Sequence, residues 1–290
     1  MRVGVVLPQM EIGADPGVIR EYAQTSEAAG YDHVIAYDHV LGVDPGRPGR
    51  GAGAYTNEAL FHEPMVLFGF LAGLTSRIEL WTGILILPQR PTALVAKQAA
   101  EVSVLSGGRL VLGVGVGWNP VEYEALGQDF ATRGRRMEEQ VGLLRELWGD
   151  SIVSFEGEFD RVTAAGINPL PAATIPIWMG GQADRVMERI GRLGDGGLVQ
   201  PALRDDPGGI APYVERIHAS AREAGRDPSE IGLESRVSVA GLSIGQQVEL
   251  AREWEALGCS HVTLNTMGAG LETPAAHLEA VRAFASALGR

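Results

Sequence analysis

The chain has 290 residues, of which 45% are hydrophobic and 21% charged, with a formal net charge of -12. That length suits one large domain, expected to span 1–290, and the apolar fraction supplies a buried core rather than a disordered chain. The acidic balance, without a basic stripe or an arginine-rich tail, argues against nucleic acid and anionic membrane surfaces as partners.

Met1 leads directly into the apolar run Val3–Leu7, which reads as a buried first strand. No basic region followed by an apolar signal segment precedes it, and Cys259 is the only cysteine, so a reducing cytoplasm is the expected location. No run approaches the ~20 apolar residues of a membrane span. A helix follows the first strand, with Asp15 as N-cap, Pro16 at its first position and Gly30 closing it. His33–Ala36 is the second strand, and a Gly/Pro-rich stretch from Gly42 to Gly53 leads to a helix around Pro64–Leu74. Ile78–Leu87 is the third strand. The next helix, Thr92–Leu105, stops at Ser106-Gly107-Gly108, a left-handed termination signal.

Arg109–Val114 is the fourth strand, and Met137, Val141, Leu144 and Trp148 recur at helical spacing within Arg133–Trp148. From Asp150 to Thr174 the alternation breaks, and Ser154–Phe159 reads as a small hairpin excursion. Ile177–Met179, Gly197–Val199, Leu233–Ala240 and His261–Leu264 complete eight strands, and the last helix starts at Thr273-Pro274. Eight strand–helix units in succession predict an α/β fold of the (β/α)8 kind, a closed parallel barrel with a hairpin between strands four and five.

In such a barrel the site lies at the C-terminal ends of the strands. Those ends carry Gln9 and Glu11, Asp38-His39, Thr82-Gly83, Gly115–Asn119, Gly180-Gly181-Gln182, Gln200, Arg236 and Asn265. Glu11, Asp38 and His39 are the only good metal-ligand candidates, no HxH spacing appears, and no metal site is expected. Paired carboxylates for glycoside hydrolysis and a GxSxG elbow are also missing. Lys97, the only lysine, lies in a helical run, which argues against Schiff-base chemistry from a barrel strand. A rim of glycines and amides suits a bound organic cofactor that carries the chemistry itself.

Asp38-His39 is the sharpest polar pair. Either His39 donates a hydrogen bond or a proton at a reactive centre, or it satisfies loop backbone while Asp38 caps a turn. Gly113–Trp118 brings alternating glycines to a strand end, either to admit a flat ring or to relieve crowding; it lacks GxGxxG spacing. Gly180-Gly181-Gln182 stands between a strand and a helix start, either as a phosphate site or as a plain turn. Tyr55, Phe61 and His62 form either a lid or an ordered loop.

Several segments, taken in order, resemble the luciferase-like monooxygenase superfamily, and more narrowly its branch that uses the deazaflavin coenzyme F420. They are Thr82-Gly83 through Pro91, Lys97–Ala100, Leu105–Arg109, Gly113–Trp118, Gly127, Phe130, Arg133-Gly134, Glu138-Glu139, Leu147-Trp148, Pro176–Gly181 and Leu193–Gly197. The resemblance implies a flavin or deazaflavin ring in the barrel mouth, with Asp38, Thr82 and Trp118 among the residues around it. Gly83–Ile84 would form a bulge with a non-proline cis peptide against the ring. Val116 and Gly117 would contact the ring, Gly180, Gly181 and Gln182 would receive the cofactor phosphate, and His39 would stand near the reactive carbon as the catalytic group.

It also implies hydride transfer between F420 and a small organic substrate, and a homodimer. The alternatives are an FMN-dependent monooxygenase fed by a separate flavin reductase, and a flavin-binding protein without turnover. In the sugar-phosphate dehydrogenases of this superfamily a glutamate follows the strand-four glycine. Here Trp118 stands there, which counts against a sugar phosphate.

Overall fold

A computed structural model describes residues 1–47, 55–200 and 207–290. The expected Gly/Pro-rich stretch therefore lies outside the described residues from Pro48 onward. Eight parallel strand positions close on themselves in the order β3-β2-β1-β11-β10-β9-β8-β5, with Leu80 and Trp81 of β3 paired to Leu110 and Val111 of β5. The strands are β1 (Arg2–Val6), β2 (His33–Ala36), β3 (Glu79–Thr82) with its continuation β4 (Leu85–Ile86), β5 (Leu110–Gly115), β8 (Ile177–Gly180), β9 (Gly196–Leu198), β10 (Gly232–Ser238) and β11 (His261–Asn265). The expected excursion is an antiparallel hairpin, β6 (Val153–Glu156) and β7 (Arg161–Ala165).

Helices α2 (Pro16–Ala28), α3 (Pro64–Ala72), α4 (Thr92–Ser106), α6 (Arg133–Gly149), α7 (Asp184–Leu193), α8 (Ala211–Glu223), α9 (Ile244–Ala256) and α10 (Pro274–Ala287) cover the outside. Their ends follow local chemistry. Asp15 accepts from the Gly17 and Val18 N–H groups, Thr273 accepts from Ala276 N, and Gly107 stops α4 in the left-handed conformation. Two short helices escape a reading based on periodicity because they are four and six residues long: α1 (Gln9–Ile12) and α5 (Pro120–Ala125). No helix among the described residues is long and apolar enough to cross a membrane.

One correction concerns the third strand, read as continuous over Ile78–Leu87. The ladder is interrupted between Thr82 and Leu85, and the Gly83–Ile84 peptide there is cis. The backbone at Gly83 presses so closely on β2 that a Cβ would sit 2.1 Å from Ile35 Cγ2.

Inside the barrel, the N-terminal half is plugged by aromatic rings. His33 stacks on Trp81 at 4.5 Å between centroids, Trp81 meets Trp178 at 4.6 Å, and His261 stands 4.9 Å from Trp178. Trp178 finds room because β9 carries glycine at 196, where a Cβ would lie 2.3 Å from the indole. Above this plug the barrel is open.

Candidate active site at the barrel mouth

The opening is a cavity of about 290 Å³ at the C-terminal ends of the strands. Tyr37, Asp38 and His39 enter it from the end of β2, Gly83, Ile84 and Ile86 from the interrupted third strand, and Gly117 and Trp118 from beyond β5. Gln200, Arg236, Ser238 and Asn265 close the far side, and Tyr55 reaches in from the loop after β2.

Glycines on and beyond β5 and β8 make room for the isoleucine side chains beside the cis peptide. A Cβ on Gly115 would lie 2.7 Å from Ile84 Cδ1, one on Gly117 2.7 Å from Ile86 Cγ2, and one on Gly180 2.8 Å from Ile84 Cγ2. The ends of β5 and β8 thus approach the Ile84 and Ile86 side chains at backbone distance, and Gly117 also has φ +63°. Relief of crowding is what these glycines supply: Gly117 lines the cavity, while Gly115 and Gly180 are covered by Ile84. Thr82 is buried just below, its hydroxyl donating to Gly113 O at 2.6 Å.

Asp38 anchors the third-strand bulge. Its Oδ2 accepts from Ile86 N at 3.0 Å, and its Oδ1 lies 2.9 Å from Arg90 Nη2. The other arm of Arg90 reaches Glu63 Oε1 at 2.8 Å. Burial raises the Asp38 carboxyl above its ordinary value, with the Arg90 guanidinium and the Ile86 N–H pulling the other way. Both carboxylate oxygens are therefore committed to protein donors.

His39 is held from behind. Its Nδ1 stands 3.3 Å from Oε1 of Glu122, a fully buried side chain on α5. The same oxygen accepts from Val40 N at 2.8 Å and Leu41 N at 3.2 Å, while Oε2 takes a bond from Gln89 Nε2 at 3.4 Å. Burial opposes the charge on Glu122, but the His39 hydrogen bond and the two backbone N–H groups outweigh it and hold the carboxyl below its ordinary range. Tyr55 and Phe61 pack against the imidazole, each at 4.8 Å between centroids, and Trp118 at 5.9 Å.

Across the cavity, Glu234 and Arg236 lie two residues apart on one face of β10. Arg236 Nη1 donates to the Tyr37 hydroxyl, and Arg236 Nε lies 3.5 Å from Glu234 Oε1. With its amide turned to offer oxygen, Gln200 accepts from Arg236 Nε at 2.8 Å and Nη1 at 3.2 Å. Burial works against the Arg236 charge, but Tyr37 and Glu234 outweigh it and raise its pKa above the ordinary value. Among the described residues, the cavity lining offers one guanidinium, that of Arg236, and one imidazole, that of His39, beside the Asp38 carboxyl and several hydroxyl and amide groups.

Of the residues singled out in the sequence, Asp38, His39, Gly83, Ile84, Gly117 and Trp118 line the cavity together. Thr82, Val116, Gly180, Gly181 and Gln182 do not line it. Val116 packs against the core and its carbonyl accepts from the Tyr123 hydroxyl at 2.7 Å, while Gly181 and Gln182 are exposed on the rim. Glu11 is turned outward from the cavity, accepting from Gly268 N at 2.8 Å and facing His277 Nε2 at 3.3 Å. Tyr55 and Phe61 meet His39, whereas the His62 backbone N–H is bound by Gln9 Oε1 at 3.2 Å.

Glu122 and Tyr37 were not legible as site residues. The one signal for Glu122 is its place three residues after Asn119, a helix N-cap followed by Pro120. In the usual capping box that glutamate would reach back to the cap N–H; here it reaches the loop that carries His39.

The fold is a parallel (β/α)8 barrel with a cavity at its C-terminal face, the end at which barrel enzymes carry their sites. Residues 1–254 match the luciferase-like monooxygenase family, and the chain belongs to that family. It is 33% identical over 229 residues to an uncharacterized protein of Mycobacterium tuberculosis, covering 77% of each chain. Among solved structures, an F420-dependent secondary alcohol dehydrogenase in complex with an F420-acetone adduct superposes with a TM-score of 0.81 at 18% identity, covering 99% of this chain and 97% of that one. A riboflavin lyase with modified FMN reaches a TM-score of 0.72 at 19% identity, over 88% of this chain and 66% of that one.

Proposed function

We propose that this protein is an oxidoreductase that holds the deazaflavin coenzyme F420 in the barrel mouth and exchanges hydride with a small organic substrate. The observation that carries this reading is the cavity at the C-terminal strand ends, where Gly83 and Ile84 of the interrupted third strand and Gly117 stand beside His39 and Arg236. The cavity of about 290 Å³ lies just below the roughly 300–1,000 Å³ of ligand pockets, so a bound deazaflavin would extend beyond it. When bound, a deazaflavin supplies two-electron hydride chemistry at the carbon that replaces the flavin N5.

The chain's own residues then divide the work. Gly83, Ile84, Gly117 and Trp118 face the ring, with Asp38, Thr82 and Val116 shaping the wall behind it. Gly180, Gly181 and Gln182 stand on the rim where N–H groups at the start of α7 favour a phosphate. Arg236 offers a positive charge to the polar edge of the ring, and His39 presents an imidazole to the substrate. The exposed Val40, Leu41 and Trp118 beside the mouth favour an apolar substrate. FMN in the same cavity, fed by a separate reductase, is the second reading, supported by the riboflavin lyase of the same fold solved with modified FMN. We also propose a homodimer through α3 and α4, whose outer faces expose Val66, Phe70, Leu94 and Leu105.

Titration of the apoprotein with F420 and with FMN, followed by tryptophan quenching and cofactor absorbance, tests the assignment. Micromolar or tighter binding of F420 with weak FMN binding is the expected result. The reverse assigns the protein to FMN chemistry, and failure of both to bind removes the cofactor reading. Sedimentation at micromolar concentration tests the dimer, which a monomeric profile overturns.

A further inference from the structure

We propose that Glu122 is a positioning residue that keeps the proton of neutral His39 on Nδ1 and leaves the Nε2 lone pair for a substrate in the cavity. The tautomer follows from the geometry alone; the use made of Nε2 rests on the function proposed above.

The acceptors around the ring decide where its proton sits. One Glu122 oxygen takes the Val40 and Leu41 N–H groups and faces His39 Nδ1, while the other takes Gln89. A carboxylate with this many donors stays ionised and has no proton to give. The nitrogen that faces it must therefore carry the hydrogen, and in a neutral ring the other nitrogen is then an acceptor. Nε2 has no partner among the described residues. Around the ring stand Tyr55, Phe61 and Trp118, and the Asp38–Arg90–Glu63 chain flanks the preceding residue.

The arrangement does two things at once. Binding the N–H groups of residues 40 and 41 fixes the backbone that follows His39, and binding Nδ1 fixes the ring. An imidazole aimed and tautomerised in this way can take one proton from a substrate at Nε2 and return it, while Glu122 remains charged throughout. The logic is that of a carboxylate behind a catalytic histidine, where the carboxylate sets orientation and tautomer without itself being protonated.

The test is nitrogen–proton correlation NMR of the full-length apoprotein, with the His39 signals assigned by their loss in His39→Asn. Above neutral pH, wild-type His39 is expected as the Nδ1–H tautomer, with that proton far downfield because its acceptor is charged. Glu122→Gln keeps an oxygen for Val40 and Leu41 but removes the charge, so the resonance should move upfield and the Nε2–H form should become populated. A wild-type ring protonated on Nε2, or an Nδ1–H resonance unmoved by Glu122→Gln, overturns the proposal. The wild-type tautomer is read without any substitution, so the question is decided even if the variant does not fold. If the tautomer is as expected while neither F420 nor FMN binds, the cofactor assignment fails and the positioning role stands.

Discussion

Asp38 and Arg90 meet at 2.9 Å in a pair that is nearly all buried, and through it the end of β2 is tied to the segment following β4. Arg90 keeps a second, half-exposed partner in Glu63 at 2.8 Å. Losing Asp38 strips Arg90 of its buried counter-charge and Ile86 N of a charged acceptor, whereas losing the more exposed partner costs little. Asp38→Asn should therefore lower unfolding stability by about 3 kcal/mol and Glu63→Gln by under about 1 kcal/mol. Urea denaturation of the two variants beside wild type measures both, and equal losses would sink the distinction.

The aromatic plug should make the fold sensitive to mild acid. Burial pushes His261 down to about 4, and it pushes His33 well below its ordinary value, with His261 as a further cause. Between the unfolded value near 6.5 and the folded one, the unfolded chain binds more protons, so stability is complete above pH ~6.5 and is lost as the pH falls toward 4. His261 alone contributes a loss of about 3 kcal/mol over that window. Urea midpoints at pH 7.0 and 4.5 should show the fall, and His261→Gln should flatten it. A midpoint independent of pH over this range contradicts the prediction.

Cys259 should be chemically silent in the folded protein. It is 3% exposed, and burial, assisted by the charge of Glu234, raises its thiol to about 12. Thiolate is the reactive form. A maleimide at pH 8 should label the native chain only on the timescale of unfolding, and promptly in urea. Rapid stoichiometric labelling of the native protein would refute this.

Gly196→Ala should be among the more damaging small substitutions in the barrel. The added Cβ would meet the Trp178 indole at 2.3 Å, with Trp81 and His261 packed behind it. Overpacking of this kind costs about 1–3 kcal/mol, or more where neighbours cannot move. Gly142→Ala makes the contrast, since that glycine lies within α6 with open space around its Cβ position. Replacing a glycine inside a helix should raise stability by about 0.5–1 kcal/mol. Thermal melts of the two variants should move in opposite directions.

How much of this was legible follows from which interactions are local. The strand–helix alternation, Asp15 before Pro16, Thr273 before Pro274 and Gly107 after α4 act within a turn of chain, and the barrel follows from their order. The cis peptide at Gly83–Ile84 came from resemblance rather than from composition. The Glu122–His39 contact spans 83 residues and depends on a six-residue helix with no periodicity to read. The Arg236–Tyr37 bond spans 199 residues, and nothing near either residue announces it. Strand ends can be listed from the sequence, but which of them face one another is set by barrel closure.

The rings of His33, Trp81, Trp178 and His261 make the barrel a vessel stoppered at one end. A ligand bound above these rings has a protein floor beneath it and reaches solvent through the C-terminal mouth, so its entry and its departure share one path.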